Sequence, residues 1–143
     1  MEIDTKRIAL LVEDLPSLRE TVSRYLRDNG LRVEAASDYQ SAVAILTTCV
    51  PHLICLDVTL PRESGFELCE YIRRDPRLAW VPILVLSERA SPEDMAYAEQ
   101  VGANAYLKKP FTHERFDKYV TTLLDGANAS RPSVRRLRRT EPP

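Results

Sequence analysis

Three carboxylates stand where short apolar runs end. Asp57 closes the run Leu53-Ile54-Cys55-Leu56, and Glu13-Asp14 follows Ile8-Ala9-Leu10-Leu11-Val12. A charge at the carboxyl end of a buried strand is costly unless it is paired or put to use. Carboxylates brought together repel, and their pKa values rise unless a cation neutralises them. No histidine or cysteine nearby competes as a ligand, so an all-oxygen site with room for water favours Mg²⁺ or Mn²⁺ over zinc. A carboxylate beside such an ion, with a lysine and a hydroxyl at hand, can act as a nucleophile toward phosphorus. Phosphoryl transfer then asks chiefly for positioning and charge neutralisation. Two further apolar runs supply those groups: Ile83–Leu86 ends in Ser87, and Ala105–Leu107 is followed by Lys108 and Lys109. Lys109 precedes Pro110 in the turn beyond the strand, so it reaches such a pocket more easily than Lys108.

The elements that must hold these groups alternate along the chain. Apolar strands are expected at Ile8–Val12, Leu31–Ala36, Leu53–Leu56, Ile83–Leu86 and Ala105–Leu107. Amphipathic helices are expected at Pro16–Asn29, Tyr39–Thr48, Gly65–Arg73, Ser91–Gln100 and Thr112–Asp125. Gly30, Gly102 and Gly126 follow helical stretches, where a stop is expected. Continuous apolar strands separated by amphipathic helices imply a parallel sheet covered on both faces. The expected fold class is α/β, a flavodoxin-like doubly wound (βα)5 sandwich with strand order 2-1-3-4-5. In such sheets ligands bind beyond the carboxyl ends of strands 1 and 3, so Glu13-Asp14 and Asp57 should converge.

Composition supports one domain. The chain has 143 residues, enough for a sizeable core, with the apolar and charged fractions of an ordinary soluble globular protein. No apolar run approaches the ~20 residues that span a bilayer, and the charged N-terminus lacks a signal-peptide pattern, so a cytoplasmic location and no membrane insertion are expected. Cys49, Cys55 and Cys69 lack metal or disulfide spacing and read as three buried reduced thiols. His52 and His113 lack the spacing of a zinc site. From Gly126 onward, Arg131, Arg135, Arg136, Arg138 and Arg139 against Glu141 give a local +4, which leaves −5 on the rest of a chain of net charge −1. Residues 1–125 are therefore read as the domain and 126–143 as a basic, disordered tail or linker. Five arginines without aromatics are a weak footprint for nucleic acid, which is not an expected partner.

The ordered set Glu13-Asp14, Asp57, Ser87 and Lys109-Pro110 resembles the receiver domain of two-component response regulators. The resemblance covers roughly residues 6–125 and rests on LLVEDLPSLRE from Leu10, LDVTLPRESGFELCEYIR from Leu56 and GANAYLKKPF from Gly102. It implies that Asp57 is the phosphoacceptor, taking a phosphoryl group from the phosphohistidine of a histidine kinase or phosphotransfer protein. It further implies that Asp14 and Asp57 ligate Mg²⁺ (or Mn²⁺) directly, Glu13 partly through water, and Thr59 through its backbone carbonyl. Ser87 becomes the hydroxyl that turns in to the phosphoryl group, Lys109 its paired cation, and Tyr106 the aromatic that changes rotamer with Ser87. The Lys109-Pro110 bond is similar to one that is cis in the family. Such a protein is a signalling switch rather than an enzyme, catalysing only its own phosphorylation and dephosphorylation. The output is the face of helix 4, strand 5 and helix 5, for which Ala90, Met95, Ala98, Tyr106 and Tyr119 are candidates. That face would engage an effector protein or output domain, or pair two copies as a homodimer.

The chain departs from the family pattern at Glu88, where a small residue is usual, and Glu88 and Arg89 are read as modulating residues. Arg62 is a lesser departure, in the loop after Asp57. Bland alternatives exist for single residues: Asp14 as a helix cap, Asp57 as a structural acid paired with Lys109, Ser87 as a turn cap, Tyr106 as core. Two rival classes are a phosphorylation-independent scaffold and an aspartyl-nucleophile phosphohydrolase. The latter normally has an acid two residues after its nucleophile, where this chain has Thr59, and a cap domain for which there is no length. A flavin-binding flavodoxin fits less well, because acids stand where a phosphate-cradling loop would follow strand 1.

Overall fold

A computed structural model describes residues 6–60 and 64–130, with side chains as far as 126. Five βα units follow one another: β1 (Ile8–Val12), α1 (Pro16–Asp28), β2 (Arg32–Ala36), α2 (Tyr39–Leu46), β3 (Leu53–Asp57), α3 (Gly65–Arg74), β4 (Ile83–Ser87), α4 (Pro92–Gln100), β5 (Ala105–Lys108) and α5 (His113–Ser130). The strands form one parallel sheet in the order β2-β1-β3-β4-β5, the expected flavodoxin-like arrangement. β3 and β4 are buried along their whole length, as central strands of a covered parallel sheet must be.

Side-chain alternation divides the core in two. Leu10, Val12, Ile54, Leu56, Ile83, Val85 and Tyr106 pack toward α2, α3 and α4. Ala9, Leu11, Leu53, Cys55, Leu84, Leu86, Ala105 and Leu107 pack toward α1 and α5. This period of two sets which side of the sheet each strand-end residue faces.

Local chemistry starts the helices. Asp38, Ser64 and Ser91 cap α2, α3 and α4 in reciprocal capping boxes with Ser41, Glu67 and Asp94. α1 instead begins at Pro16 with Leu15 as an N-cap that makes no side-chain bond, so Asp14 is not its cap. Gly65 opens α3 so close to the end of β3 that an added Cβ would lie 2.3 Å from the Asp57 carbonyl oxygen and 2.7 Å from Val58 Cα. Its N–H donates to the Val58 carbonyl at 2.9 Å, which holds the helix start against the strand end.

At the opposite end of the sheet, Arg73 ties three segments together. Its Nε donates to the Gly102 carbonyl at 3.0 Å, Nη1 to the Leu78 and Ala79 carbonyls at 3.2 Å each, and Nη2 to Asn104 Oδ1 at 2.9 Å. Asn104 Oδ1 also accepts from the Ile83 N–H at 2.7 Å, fixing the start of β4. Burial lowers the Arg73 pKa to about 10. Gly102, at φ 109°, leaves room for this side chain, since a Cβ there would meet Arg73 Cγ at 2.5 Å.

Three expectations are corrected. Gly126 does not end the last helix, and α5 continues to Ser130; glycine permits a stop but does not impose one. Cys55 and Cys69 are buried but Cys49, in the turn beyond α2, is only half-buried. Of the five residues expected on a partner face, Met95 is exposed and Ala90 half-buried, whereas Ala98, Tyr106 and Tyr119 are buried in the core. Cross-sheet packing claims the inward side of each element for the core. Arg62 and the arginines from 131 onward lie outside the described residues.

Replacing Gly65 by alanine should displace α3 or the β3 end and lower unfolding stability by about 1–3 kcal/mol, the usual cost of overpacking, read by urea denaturation. Arg73→Met should cost about 2–3 kcal/mol in the same assay by removing charge-assisted bonds. Arg73→Lys should restore little of it, because one ammonium cannot span carbonyls that a planar fork reaches.

Candidate functional site

The site lies at the carboxyl edge of β1, β3, β4 and β5. Glu13 continues the alternation of Ala9 and Leu11, Asp57 that of Leu53 and Cys55, and Lys109 that of Ala105 and Leu107, so all three fall on the α1/α5 side. That parity separates the two lysines. Lys108 is exposed, whereas Lys109 Nζ donates to Asp57 Oδ2 at 2.9 Å and to Glu13 Oε1 at 3.0 Å. The peptide bond from Lys109 to Pro110 is cis. The Lys109 N–H also donates to the Ser87 carbonyl at 2.8 Å, tying the ends of β4 and β5.

Glu13, Asp14 and Asp57 each offer a carboxylate oxygen, and these oxygens lie within 4.8 Å of one another. Glu13 and Asp57 are buried, and Asp14 is exposed at the mouth. Burial raises the Glu13 pKa, against the opposing pull of its bonds to Lys109 and to the Leu15 N–H. Burial alone would lower the Lys109 pKa, but its bonds to Asp57 and Glu13 prevail and raise it. One ammonium thus partly neutralises a cluster of three carboxylates. The donor set, all hard oxygen, fits a small divalent cation. Thr59 meets Asp57 through its N–H, which donates to Oδ1 at 2.9 Å. The expected contribution of the Thr59 carbonyl concerns a ligand and is not a contact of the chain itself.

Ser87 and Tyr106 sit on the other parity, with Ile83 and Val85, toward α4. The buried Ser87 Oγ accepts from the Arg89 N–H at 3.0 Å, so it does cap the turn after β4. The Tyr106 hydroxyl donates to the Arg89 carbonyl, and the ring is turned inward. Arg89 reaches Asp94 of α4 through an ion pair of 2.8 Å. Glu88 is exposed. The β4–α4 turn is thereby held at Ser87, Tyr106 and Asp94 together.

Two contacts had not been expected. Arg19 Nη1, on the first turns of α1, donates to the Glu13 carbonyl at 2.8 Å and steadies the acid pair from behind. An arginine five residues after Asp14 was the available signal. The close approach of Gly65 to Asp57 was the other, marked in sequence only by a glycine opening a helix.

Comparison with known proteins places this geometry. Residues 9–121 match the family model for the response regulator receiver domain. The phosphate regulon transcriptional regulatory protein PhoB of Escherichia coli is 37% identical over 106 residues, 74% of this chain and 46% of PhoB. The chain spans about half the length of the curated relatives it matches. Among solved structures, the chemotaxis response regulator CheY4 of Vibrio cholerae superposes with a TM-score of 0.79 at 34% identity, over 83% of this chain and 99% of CheY4. The receiver domain of the sensor histidine kinase PA1611 of Pseudomonas aeruginosa, with a magnesium ion coordinated in its active-site cleft, superposes at 0.78 and 29% identity, over 85% of this chain and 99% of its own. The order of the strands, the acids at their carboxyl ends and a family match over most of the chain agree: this protein belongs to the response regulator receiver domain family.

Proposed function

We propose that the chain is a phosphorylation-dependent switch whose phosphoacceptor is Asp57. The observation that carries this reading is the bridge from Lys109 to both Asp57 and Glu13 within a three-carboxylate cluster. A purely structural ion pair needs one acid, and the surplus negative charge is explained by a cation that arrives with the substrate. Mg²⁺ (or Mn²⁺), held by Asp14, Asp57, Glu13 and the Thr59 carbonyl, would supply charge neutralisation for the phosphoryl oxygens. The magnesium in the PA1611 receiver supports that assignment.

Each residue then has a task. An Asp57 carboxylate oxygen forms the new bond to phosphorus as the bond to the donor's imidazole nitrogen breaks. Lys109 and the Thr59 N–H, already bonded to the two Asp57 oxygens, orient the carboxylate and remain beside the incoming charge. Ser87 must leave the Arg89 N–H to reach a phosphoryl oxygen. Because Tyr106 bonds the Arg89 carbonyl and Asp94 its guanidinium, movement of that turn passes to β5 and α4. The phosphoryl group favours one arrangement of the turn by differential bonding, which is what a switch requires.

The donor is a histidine kinase or phosphotransfer protein. The receiver of this changed face is an effector protein or output domain, and a homodimer across α4, β5 and α5 is a further mode. PhoB is named a transcriptional regulator, which supports an output of that kind for a partner domain. Among the described residues no helix is long and apolar enough to cross a membrane, which fits a cytoplasmic site of action. A phosphorylation-independent scaffold is the second reading, favoured only by Glu88, an exposed acid that follows Ser87 in the sequence.

Incubation with Mg²⁺ and acetyl phosphate should raise the intact mass by one phosphoryl group, with no rise in Asp57→Asn or when the metal is chelated. A chain that takes up nothing from acetyl phosphate or from a cognate kinase would be a scaffold. Glu88→Ala should speed phosphorylation by an anionic donor about fivefold, the effect of removing one nearby like charge through solvent. Equal phosphorylation and dephosphorylation rates in the variant would make Glu88 a mere surface charge.

A further inference from the structure

We propose that Arg19 is a positioning residue that aims the Asp14 carboxylate at the cation site through the backbone, an inference that rests on the reading in which a divalent cation meets Glu13, Asp14 and Asp57. The three acids are not fixed equally. Asp57 is held at both oxygens, by Lys109 Nζ at 2.9 Å and by the Thr59 N–H at 2.9 Å. Glu13 is also held at both, by Lys109 Nζ at 3.0 Å and by the Leu15 N–H at 3.2 Å. Asp14 is exposed, and no side-chain hydrogen bond or ion pair reaches it from the described residues. Its carboxylate nonetheless offers an oxygen within 4.8 Å of those of the other two. A carboxylate without partners of its own is aimed by its backbone.

Two rigid peptide planes flank Asp14, and rotation of either would swing its side chain away. The plane before it carries the Glu13 carbonyl, whose oxygen accepts from Arg19 Nη1 at 2.8 Å. The amino side of Glu13 is anchored too, since its N–H donates to the Ala36 carbonyl at 3.0 Å. The plane after Asp14 carries the Leu15 N–H, but that bond goes to Glu13 Oε2, an oxygen of the cluster itself. A cation that drew on this oxygen would compete with the bond. Arg19 is the holder that uses no carboxylate. Within the described residues it forms no ion pair and turns its charge on a peptide oxygen. Its own N–H donates to the Leu15 carbonyl at 2.9 Å, which fixes its place on the first turn of α1, and its side chain is half-buried. The charge and the bond act in opposite directions. A guanidinium near a divalent cation repels it, whereas an outer partner that orients a ligand strengthens binding, commonly by tenfold or more. The sign of the change when Arg19 is removed therefore tells which of the two governs the site.

The test is Mn²⁺ binding to the full-length, unphosphorylated protein, followed by the EPR signal of the free ion. Arg19→Met should weaken binding about tenfold. Arg19→Lys, which keeps the charge and one donor, should weaken it less, and it runs the same comparison should the methionine variant fail to fold. In the Asp14→Asn protein, already weakened, neither change at Arg19 should cause a further loss, because residues that act as one unit do not add. Binding that is unchanged or tighter in the Arg19 variants would overturn the proposal and leave Arg19 a nearby charge. So would a loss that recurs in full on Asp14→Asn, the mark of a general loosening of the fold. Both of those outcomes leave the cation reading standing, whereas wild-type protein that binds no Mn²⁺ would sink that reading and the role of Arg19 with it.

Discussion

The ammonium of Lys109 between Asp57 and Glu13 is the contact on which the site depends. Two acids are buried there and a third is exposed beside them, and without a cation their like charges would repel one another uncompensated. The fold provides the lysine by ending β5 next to β4, by tying the Lys109 N–H to the Ser87 carbonyl, and by keeping the alternation of β5 in step with that of β3. The same lysine leaves the cluster still rich in negative charge. The site is held together well enough to fold, and its surplus of oxygen donors suits a small divalent cation.

Much of this could be read from the chain, because continuous apolar runs identify covered parallel strands and the acids lie at their ends. Strand order then followed from length and alternation. The choice of Lys109 over Lys108 was harder, since it depends on carrying the period of two past the strand end into the turn. Contacts made by distant residues were not legible. Arg73 meets Gly102 and Asn104, which are 29 and 31 positions away, and no local pattern announces such a meeting. The end of α5 was misread because Gly126 was given the meaning it has at a helix stop, whereas the helix runs through it. The partner-face residues failed for a related reason: Ala98 and Tyr119 are on the right helices, but which side of a helix is outward depends on what it packs against.

Arg73 and Lys109 mark opposite edges of the same sheet. Arg73 spends its donors on carbonyls and an amide, closing the loops at the amino ends of the strands, and it faces no carboxylate in those bonds. Lys109 meets carboxylates at the carboxyl ends. One cation makes an edge rigid by satisfying every partner it touches, and the other leaves an edge receptive by satisfying too few.

The division of the strand ends by parity has a consequence for how such a protein can diversify. Asp57 and Lys109 hang on the α1/α5 side, while Ser87 and Tyr106 hang on the α4 side, and the sheet is the partition between them. The ion cluster around Lys109 and the turn that Tyr106 fastens are thus packed into different layers. Substitutions can accumulate on one layer without retuning the other, provided the turn at Arg89 continues to join them. A lineage of such domains can therefore keep one charged cluster while the packing around the turn at Arg89 is rewritten.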